Sequence, residues 1–270
     1  MGDNSTYETS KPVILLLHGA WHLPDHYAGL VHLLESEGYT VSCPRMPSCN
    51  DASPPNKTLD DDVSCARQAA LGFLEQGKDV VALMHSYGGV VGTNALANLH
   101  QGQKVEGRET GRVKALIYMT AFIPFENQSL AAMFGGQLPP WLTSNPDTKY
   151  VDIDDPKWYF YSDLPEEQRD RWANALVRHP VVCQYEAVQD GKLKAELGER
   201  VAWRDVESVV YLLCTKDQAL PDFVQQMMVN RLETEGGLGK SAIQVEVLES
   251  SHSPFLSMPE KVVKLVQKVV

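Results

Sequence analysis

The segment from residue 79 to residue 92 constrains the fold of this chain more than any other. It reads DVVALMHSYGGVVG, so a short apolar run leads into Ser86, and Gly88 and Gly89 follow one residue later. Strand, abrupt turn and helix is the arrangement that holds a serine out as a nucleophile, and the turn needs small residues beside that serine. The segment therefore predicts a nucleophilic Ser86, with a buried strand that ends in an ordinary turn as the alternative.

Charge and hydropathy exclude several classes of partner. The 270-residue chain has 43% hydrophobic residues and a formal net charge of −11. This balance suits a protein with a substantial core and argues against nonspecific nucleic-acid binding, which needs a basic surface. No apolar run approaches the roughly 18 residues that span a membrane. We therefore expect neither a nucleic-acid partner nor a membrane partner.

The N-terminus and the cysteines bear on the cellular compartment. Residues 1–11 are polar and lack the apolar stretch of a secretory signal. Gly2 and Thr6 fit a short myristoylation pattern, but a disordered leader is the simpler prediction. The five cysteines are scattered without C-x-x-C spacing, which favours free thiols over a disulfide framework or a zinc site. We expect a cytoplasmic protein without a metal site.

Strand patterns and helix patterns alternate along much of the chain. Apolar runs predict strands at residues 12–17, 39–43, 79–84, 113–120, 209–214 and 243–248. Three acids at residues 60–62 fit the first turn of a helix, where they suit the positive end of its dipole. Continuous apolar strands are typical of a parallel sheet covered on both faces. The predicted fold class is therefore α/β, with a doubly wound, mostly parallel sheet.

The pattern changes between residues 121 and 202. No convincing strand run occurs there, and short helical pieces alternate with many aromatic residues. This change predicts a helical cap at 121–202, inserted between two strands of the sheet. The core then comprises residues 12–120 and 203–270, with residues 1–11 as the leader.

Polar residues just past two of the late strands can complete a serine site. A serine hydroxyl needs a base within hydrogen-bond reach and a third group to orient that base. Asp217 follows the strand that ends near residue 214, and His252 follows the last strand. The carboxyl ends of parallel strands meet at one edge of a sheet, so we predict that Ser86, Asp217 and His252 act together. A capping Asp and a surface His are the alternatives.

An oxyanion that forms during attack needs preorganised donors. One is the backbone N–H of Tyr87, directly after the predicted nucleophile. The other is expected in the loop after the first strand, where Gly19 lets the backbone turn inward and Ala20 is the predicted donor.

Four motifs, LLLHGAWH, HSYGG, CTKDQALP and SHSPF, together resemble the α/β-hydrolase superfamily. The likeness is greatest to its small esterase-like branch, which includes plant methyl-ester esterases and hydroxynitrile lyases, and it extends from about Pro12 to Val270. The resemblance implies Ser86 as nucleophile, Asp217 as acid and His252 as base. It also implies Ala20 and Tyr87 as oxyanion donors and residues 121–202 as the cap.

Two positions depart from the family pattern. Met84 stands two residues before the serine, where the motif usually has glycine. Ser253 follows His252, whereas hydroxynitrile lyases of this branch usually have a lysine close after the histidine. The second departure favours an esterase over a lyase.

These observations predict a cofactor-independent serine hydrolase that cleaves a carboxylic ester or a lactone. Its expected partner is a small, apolar or aromatic, ester-like substrate, bound by Trp21, His22, Phe122, Trp141 and Trp158. Packing of the cap onto the sheet is an equal alternative role for the aromatic residues of the cap. A lyase, a C–C bond hydrolase or a cyclase can use the same three residues, because a fold does not fix the chemistry. A ligand-binding receptor on the same fold is a further alternative. The sequence does not specify the oligomeric state.

Overall fold

A six-stranded parallel sheet forms the centre of the molecule. The computed structural model describes residues 11–105, 108–188, 191–198, 200–239 and 242–270, so the predicted leader lies outside the described residues except for its last one. The strands are β1 (Val13–Leu17), β2 (Val41–Ser42), β3 (Val80–His85), β4 (Lys104–Val105), β5 (Arg108–Glu109), β6 (Val113–Met119), β7 (Leu142–Ser144), β8 (Val151–Ile153), β9 (Ser208–Cys214) and β10 (Ile243–Leu248). The main sheet has the order β10-β9-β6-β3-β1-β2, and each of its neighbouring pairs is parallel.

Strand β1 shows why the predicted strands are continuously apolar. Val13, Leu15 and Leu17 contact one hydrophobic core, whereas Ile14 and Leu16 contact a second core on the other face. Successive side chains of a strand point to opposite faces, and helices cover both faces here. Each of the five side chains is at most 1% exposed, and full burial of such a side chain contributes about 1.5–3 kcal/mol.

Helices lie on both faces of the sheet. They are α1 (Ala28–Ser36), α2 (Leu59–Leu74), α3 (Gly88–Ala95), α4 (Pro156–Tyr161), α5 (Glu166–Asn174), α6 (Val181–Tyr185), α7 (Gly191–Leu197), α8 (Asp222–Thr234), α9 (Pro254–Ser257) and α10 (Pro259–Val269). Helices α2, α3 and α8 pack into the core that contains Leu15, and α1 and α10 into the core that contains Ile14. The predicted doubly wound α/β fold is therefore confirmed. No helix of the described residues is long and apolar enough to cross a membrane.

Helix α2 uses its first acids in different ways. Thr58 and Asp61 form a capping box, in which the Thr58 N–H donates to Asp61 Oδ2 at 3.0 Å. Asp62 is fully buried and accepts hydrogen bonds from Ser48 and from the Tyr87 hydroxyl. The three acids do lie in the first turn of α2, as predicted, and the burial of Asp62 and its bonds to Ser48 and Tyr87 are features that the sequence did not indicate.

The chain between β6 and β9 is more varied than the sequence indicates. It contains the four short helices α4, α5, α6 and α7, and also an antiparallel hairpin of β7 with β8. The prediction that this region has no strands is wrong. Both strands have only three residues, and Thr143 and Ser144 are exposed, so the hairpin has no apolar run by which to predict it.

The strand order places one reversal of the chain beside the predicted site. From β1 the chain moves outward to β2, then returns to β3 on the other side of β1. Ligands of open parallel sheets bind outside the carboxyl ends of the strands at such a reversal. Ala20 follows β1 and Ser86 follows β3, so both lie at this edge.

Candidate active site

Ser86 lies on a strained turn between β3 and α3. Its backbone φ is +52°, a left-handed conformation that is uncommon for residues other than glycine. A Cβ at Gly88 would lie 2.1 Å from the Leu17 carbonyl oxygen, and one at Gly89 would lie 2.2 Å from the Phe122 carbonyl oxygen. Backbone on two sides thus leaves room only for glycine, as the sequence predicts.

The departure from the motif at Met84 is accommodated by a different glycine. Met84 is fully buried at the end of β3, and a Cβ at Gly92 in α3 would lie 2.3 Å from its Sδ. The methionine side chain therefore fills space that a side chain on the helix would otherwise take. Strand and helix can still pack closely, because the small residue at this contact is Gly92 on the helix and not a glycine on the strand.

The structure brings the predicted acid and base into direct contact. His252 Nδ1 donates to Asp217 Oδ2 at 2.7 Å, and both side chains are buried. Asp217 also accepts from the Thr120 hydroxyl and, at 2.8 Å each, from the N–H groups of Ala219 and Leu220. These donors fix the position of the carboxylate beside the imidazole. The bond to Nδ1 leaves His252 Nε2 as the free ring nitrogen.

Ser86 and His252 line the same cavity. Within the described part of the chain, Ser86 Oγ makes no hydrogen bond. A hydroxyl and an imidazole nitrogen at one wall can exchange a proton once a substrate brings them together.

Two backbone N–H groups at this wall have no acceptor within the described residues. They belong to Ala20, after β1, and to Tyr87, after Ser86, and both residues line the cavity. A buried N–H without a partner is rare in proteins. Two such groups beside a serine can together bind one negatively charged oxygen.

His85, the residue before Ser86, connects the turn at Ser86 with the His252 backbone and, through Tyr27, with the loop after β1. The sequence does not predict this connection. His85 Nε2 donates to the His252 carbonyl oxygen at 2.8 Å, which leaves Nδ1 to accept from the Tyr27 hydroxyl at 2.7 Å. The Tyr27 oxygen in turn accepts from the Gly19 N–H at 3.0 Å. Burial lowers the pKa of His85 well below its usual value, so the ring is neutral. Position within the HSYGG motif is the only sequence signal for His85.

His18 and His22 hold the loop after β1. His18 Nε2 accepts from the Met46 N–H at 2.9 Å, so Nδ1 carries the proton and donates to the Gly19 carbonyl oxygen at 2.9 Å. His22 Nδ1 donates to the Ala20 carbonyl oxygen at 2.8 Å. Burial lowers the pKa of His18 to about 4, so this ring is also neutral near pH 7.

The predicted substrate-binding aromatics divide into two groups. Trp21, Phe122 and Trp141 line the cavity. His22 does not, because its ring is held between the Ala20 carbonyl and the Tyr161 hydroxyl. Trp158 is also absent from the wall and is 49% exposed on α4. The structure therefore places Trp21, Phe122 and Trp141, but not His22 and Trp158, where they line the cavity, and substrate contact itself stays a prediction.

The cavity is apolar and of a size that suits a small molecule. Its volume is about 390 Å³, within the range of about 300–1,000 Å³ that is usual for ligand pockets. Much of its wall is apolar and includes Phe122, Phe134, Leu138, Trp141, Leu220 and Val224. None of the described residues in this wall is Asp, Glu, Lys or Arg. In the described ranges, no group of three or more His, Cys, Asp or Glu side chains is placed to hold a metal ion.

Three residues at the carboxyl-end edge of the sheet have left-handed backbone. Besides Ser86, Trp21 has a φ of +62° and Thr120, which bonds to Asp217, a φ of +39°. These residues follow β1, β3 and β6, and a left-handed conformation is especially unfavourable for a β-branched residue such as threonine. Strained residues persist where the surrounding structure holds them, which is common at functional sites.

Comparison with known proteins finds one family over most of the chain. The model of the family described as "Alpha/beta hydrolase family" matches residues 14–265. "Alpha/beta hydrolase nvfD" of Aspergillus novofumigatus is 31% identical over 268 residues, which cover 95% of this chain and 96% of the relative.

Solved structures share the fold. A pyrethroid hydrolase from Sphingobium faniae superimposes with a TM-score of 0.66 at 18% identity, over 95% of this chain and 96% of that one. Polyneuridine aldehyde esterase superimposes with a TM-score of 0.67 at 16% identity, over 96% and 99% of the two chains.

Proposed function

This chain belongs to the alpha/beta hydrolase family, and from that membership we propose that it hydrolyses a carboxylic ester or a lactone through an acyl-enzyme on Ser86. One observation carries the proposal. The hydrogen-bonded pair of Asp217 and His252 shares a cavity with Ser86 and with the unpaired N–H groups of Ala20 and Tyr87. These are the groups that acyl transfer to a serine requires.

The first half of the reaction acylates the serine. Ser86 Oγ attacks the carbonyl carbon while His252 Nε2 takes the hydroxyl proton. The carbonyl oxygen becomes an anion and accepts hydrogen bonds from the N–H groups of Ala20 and Tyr87. When the intermediate collapses, the carbon–oxygen bond to the alcohol breaks, and His252 returns the proton to the leaving oxygen.

The second half releases the acid. A water molecule gives its proton to His252 and adds to the acyl carbon, and the bond to Ser86 Oγ then breaks with return of that proton. Asp217 stays ionised in both halves, orients the imidazole and stabilises its charged form. The hydrogen bonds from Thr120, Ala219 and Leu220 hold its carboxylate in the position that this role requires.

The substrate is proposed to be a small, mainly apolar ester. A wall of aromatic and aliphatic side chains favours such a molecule, and the cavity has room for one of drug-like size. The names of the two structural neighbours, a pyrethroid hydrolase and polyneuridine aldehyde esterase, support hydrolysis of small molecules. The cytoplasmic location stays a prediction.

Covalent labelling tests the proposal. A fluorophosphonate probe is expected to modify Ser86, as read by peptide mass spectrometry, and the adduct should be lost in His252→Ala. Ester turnover should fall by roughly 10³-fold or more in Ser86→Ala and in His252→Ala, because the two groups act as a unit. His32→Ala, which changes an exposed histidine on α1, serves as the matched control.

Two results would contradict the assignment. One is turnover in Ser86→Ala at the wild-type rate, and the other is a folded protein whose Ser86 does not react with the probe. Product analysis on esters, ketones and cyanohydrins separates a hydrolase from a lyase that uses the same residues. Ligand-dependent stabilisation without turnover would indicate a receptor instead.

A further inference from the structure

Gln184 is a buried polar side chain without a partner in the cavity wall. It lies on α6, lines the cavity and is 1% exposed. Among the described residues, neither its amide nitrogen nor its amide oxygen makes a hydrogen bond. A buried amide that makes no hydrogen bond destabilises the folded protein. The presence of Gln184 at this position is therefore not explained by a contribution to stability.

A second buried glutamine, Gln225, shows the hydrogen bonds that a buried amide makes when it supports the fold. Gln225 on α8 is also fully buried. Its Nε2 donates to the carbonyl oxygens of Cys214 at 3.0 Å and Leu220 at 2.7 Å, and its Oε1 accepts from the Cys214 N–H at 3.0 Å. Both polar atoms of the Gln225 amide therefore have partners within the protein, whereas neither polar atom of the Gln184 amide has one among the described residues.

The other amides of the cavity wall do not resemble Gln184. Gln137 is exposed to solvent, so water satisfies its polar atoms. Gln218 is half-buried, and its Nε2 donates to the Lys216 carbonyl oxygen at 3.0 Å. Gln184 is thus the buried amide of this wall whose hydrogen bonds are open to a ligand. A glutamine side chain has three rotatable bonds, so the amide can turn toward a partner that enters the cavity.

The chemistry of the partner follows from the amide and its surroundings. An amide offers both a donor and an acceptor, so it pairs best with a group that also offers both. A carboxylate only accepts, and the described residues of the wall include no cation to balance its charge. A hydroxyl or a carboxamide offers both a donor and an acceptor, and it carries no charge that the wall would have to balance.

We propose that Gln184 determines substrate specificity by pairing with a hydroxyl or carboxamide that the substrate carries away from its ester carbonyl. The remainder of that substrate is apolar and contacts the aromatic and aliphatic wall. This inference rests on the proposed ester hydrolysis for its assay, but the binding contact does not depend on catalysis.

Matched pairs of esters test the contact. Each pair has the same apolar skeleton, one member with a hydroxyl at a given carbon and one with hydrogen there, and the series moves the hydroxyl along the skeleton. For at least one pair, wild-type kcat/KM is expected to favour the hydroxyl member by about 10- to 100-fold. Gln184→Met should reduce that ratio to nearly one, because methionine keeps the length and loses the amide.

The control is Gln137→Met, which removes the exposed amide of the same wall and should retain the ratio. A ratio that is the same in wild type and Gln184→Met overturns the proposal. A parallel series carries a carboxamide in place of the hydroxyl, and a wild type that prefers neither group at any position also overturns the proposal.

Unfolding temperatures test the claim that the free protein does not use this amide. Without ligand, Gln184→Met should unfold at the wild-type temperature or above it, whereas Gln225→Met should unfold several degrees lower. An equal loss in both variants would mean that Gln184 has a structural partner, which contradicts the proposal.

Binding to Ser86→Ala separates this inference from the proposed function. Calorimetry measures the Kd of the same ester pairs with Ser86→Ala alone and together with Gln184→Met. If discrimination depends on Gln184 while wild type cleaves no ester, the specificity proposal stands and ester hydrolysis fails. If Ser86 cleaves esters but neither Kd nor kcat/KM depends on Gln184, hydrolysis stands and the specificity proposal fails. Absence of binding to any member of the series overturns the specificity proposal.

Discussion

One peptide group shows how a single residue can act on the proposed reaction without contact with the substrate. The Gly19 carbonyl and the Ala20 N–H belong to the same planar unit and point in opposite directions. His18 donates to that carbonyl at 2.9 Å, and the backbone N–H of His22 donates to it at 3.3 Å. Both bonds therefore fix the direction of the N–H that we propose as an oxyanion donor. His18 is in this sense a positioning residue.

Replacement of His18 by leucine tests this role. We expect kcat to fall about 10- to 100-fold with a smaller change in KM, because the donor acts mainly on the transition state. Steady-state kinetics with a soluble ester would show this division between kcat and KM.

His26→Leu is the matched control, since His26 is also a buried histidine of this loop but bonds to Leu23 and Trp172 instead. A loss of equal size in both variants, or a loss that resides in KM alone, would mean that His18 only supports the fold.

At the scale of elements, β3 and α3 form a unit whose close packing depends on where the small residues lie. Gly88 and Gly89 make room for the backbone at Leu17 and Phe122, and Gly92 makes room for Met84. The turn can hold Ser86 at a positive φ because these contacts leave the chain few alternatives.

Gly92→Ala is expected to lower the free energy of unfolding by about 1–3 kcal/mol, because the added methyl group overpacks a filled core. In a Met84→Ala background the same substitution should cost less, since the sulfur that it meets is gone. Urea denaturation of the four proteins of this cycle measures the coupling.

Gly72→Ala in α2 is the control, because a Cβ there meets no atom within 4 Å. Removal of glycine from an exposed helix should raise stability by about 0.5–1 kcal/mol. Additive effects of the Met84 and Gly92 substitutions would refute direct packing between these two residues.

The same element shows which features the sequence could predict. The continuous apolar runs of strands β1, β3 and β9 predict that these strands are buried. A serine followed closely by two glycines predicts the turn after β3. The polar residues past β9 and β10 predict Asp217 and His252, because parallel strands end at one edge. Residue type alone does not tell which side of a loop a ring faces, so His22 was expected in the cavity and instead holds the Ala20 carbonyl.

The region between β6 and β9 was the hardest to predict. Its helix α5 buries none of its residues, and its hairpin strands are too short for a periodic pattern. Gln184 carries no local signal, because an unpaired amide is recognisable only once its neighbours are known.

At the scale of the whole molecule, buried histidines make the fold sensitive to acid. Burial lowers the pKa of His18 to about 4 and of His179 to about 3, and it also lowers the pKa values of His22, His26 and His85. The unfolded chain takes up protons near pH 6.5, whereas the folded chain resists them to lower pH. These histidines therefore leave stability unaffected above about pH 6.5, and as the pH falls from there toward 4, proton uptake by the unfolded chain lowers the free energy of unfolding.

We expect the free energy of unfolding to fall between pH 7.5 and pH 5, and His179→Phe to reduce that fall. Neither ring nitrogen of His179 makes a hydrogen bond within the described residues, and the ring packs against Tyr87 with centroids 4.7 Å apart, so phenylalanine keeps the contact and removes the titration. Urea denaturation at the two pH values provides the measurement. His32→Gln, at an exposed position, should reproduce the wild-type dependence. Equal wild-type stability at both pH values would contradict the expectation.

The uncharged wall of the cavity also bears on how a turnover would end. An ester is neutral when it enters, but its hydrolysis yields an acid that ionises at neutral pH. Inside the cavity the new carboxylate would lose part of its hydration, and the described wall offers no Lys or Arg to compensate its charge. The overall charge of −11 adds a further repulsion at long range. Apart from the N–H groups of Ala20 and Tyr87, the described wall would therefore favour the neutral ester over the ionised acid, so that the proposed reaction would itself promote release of its product.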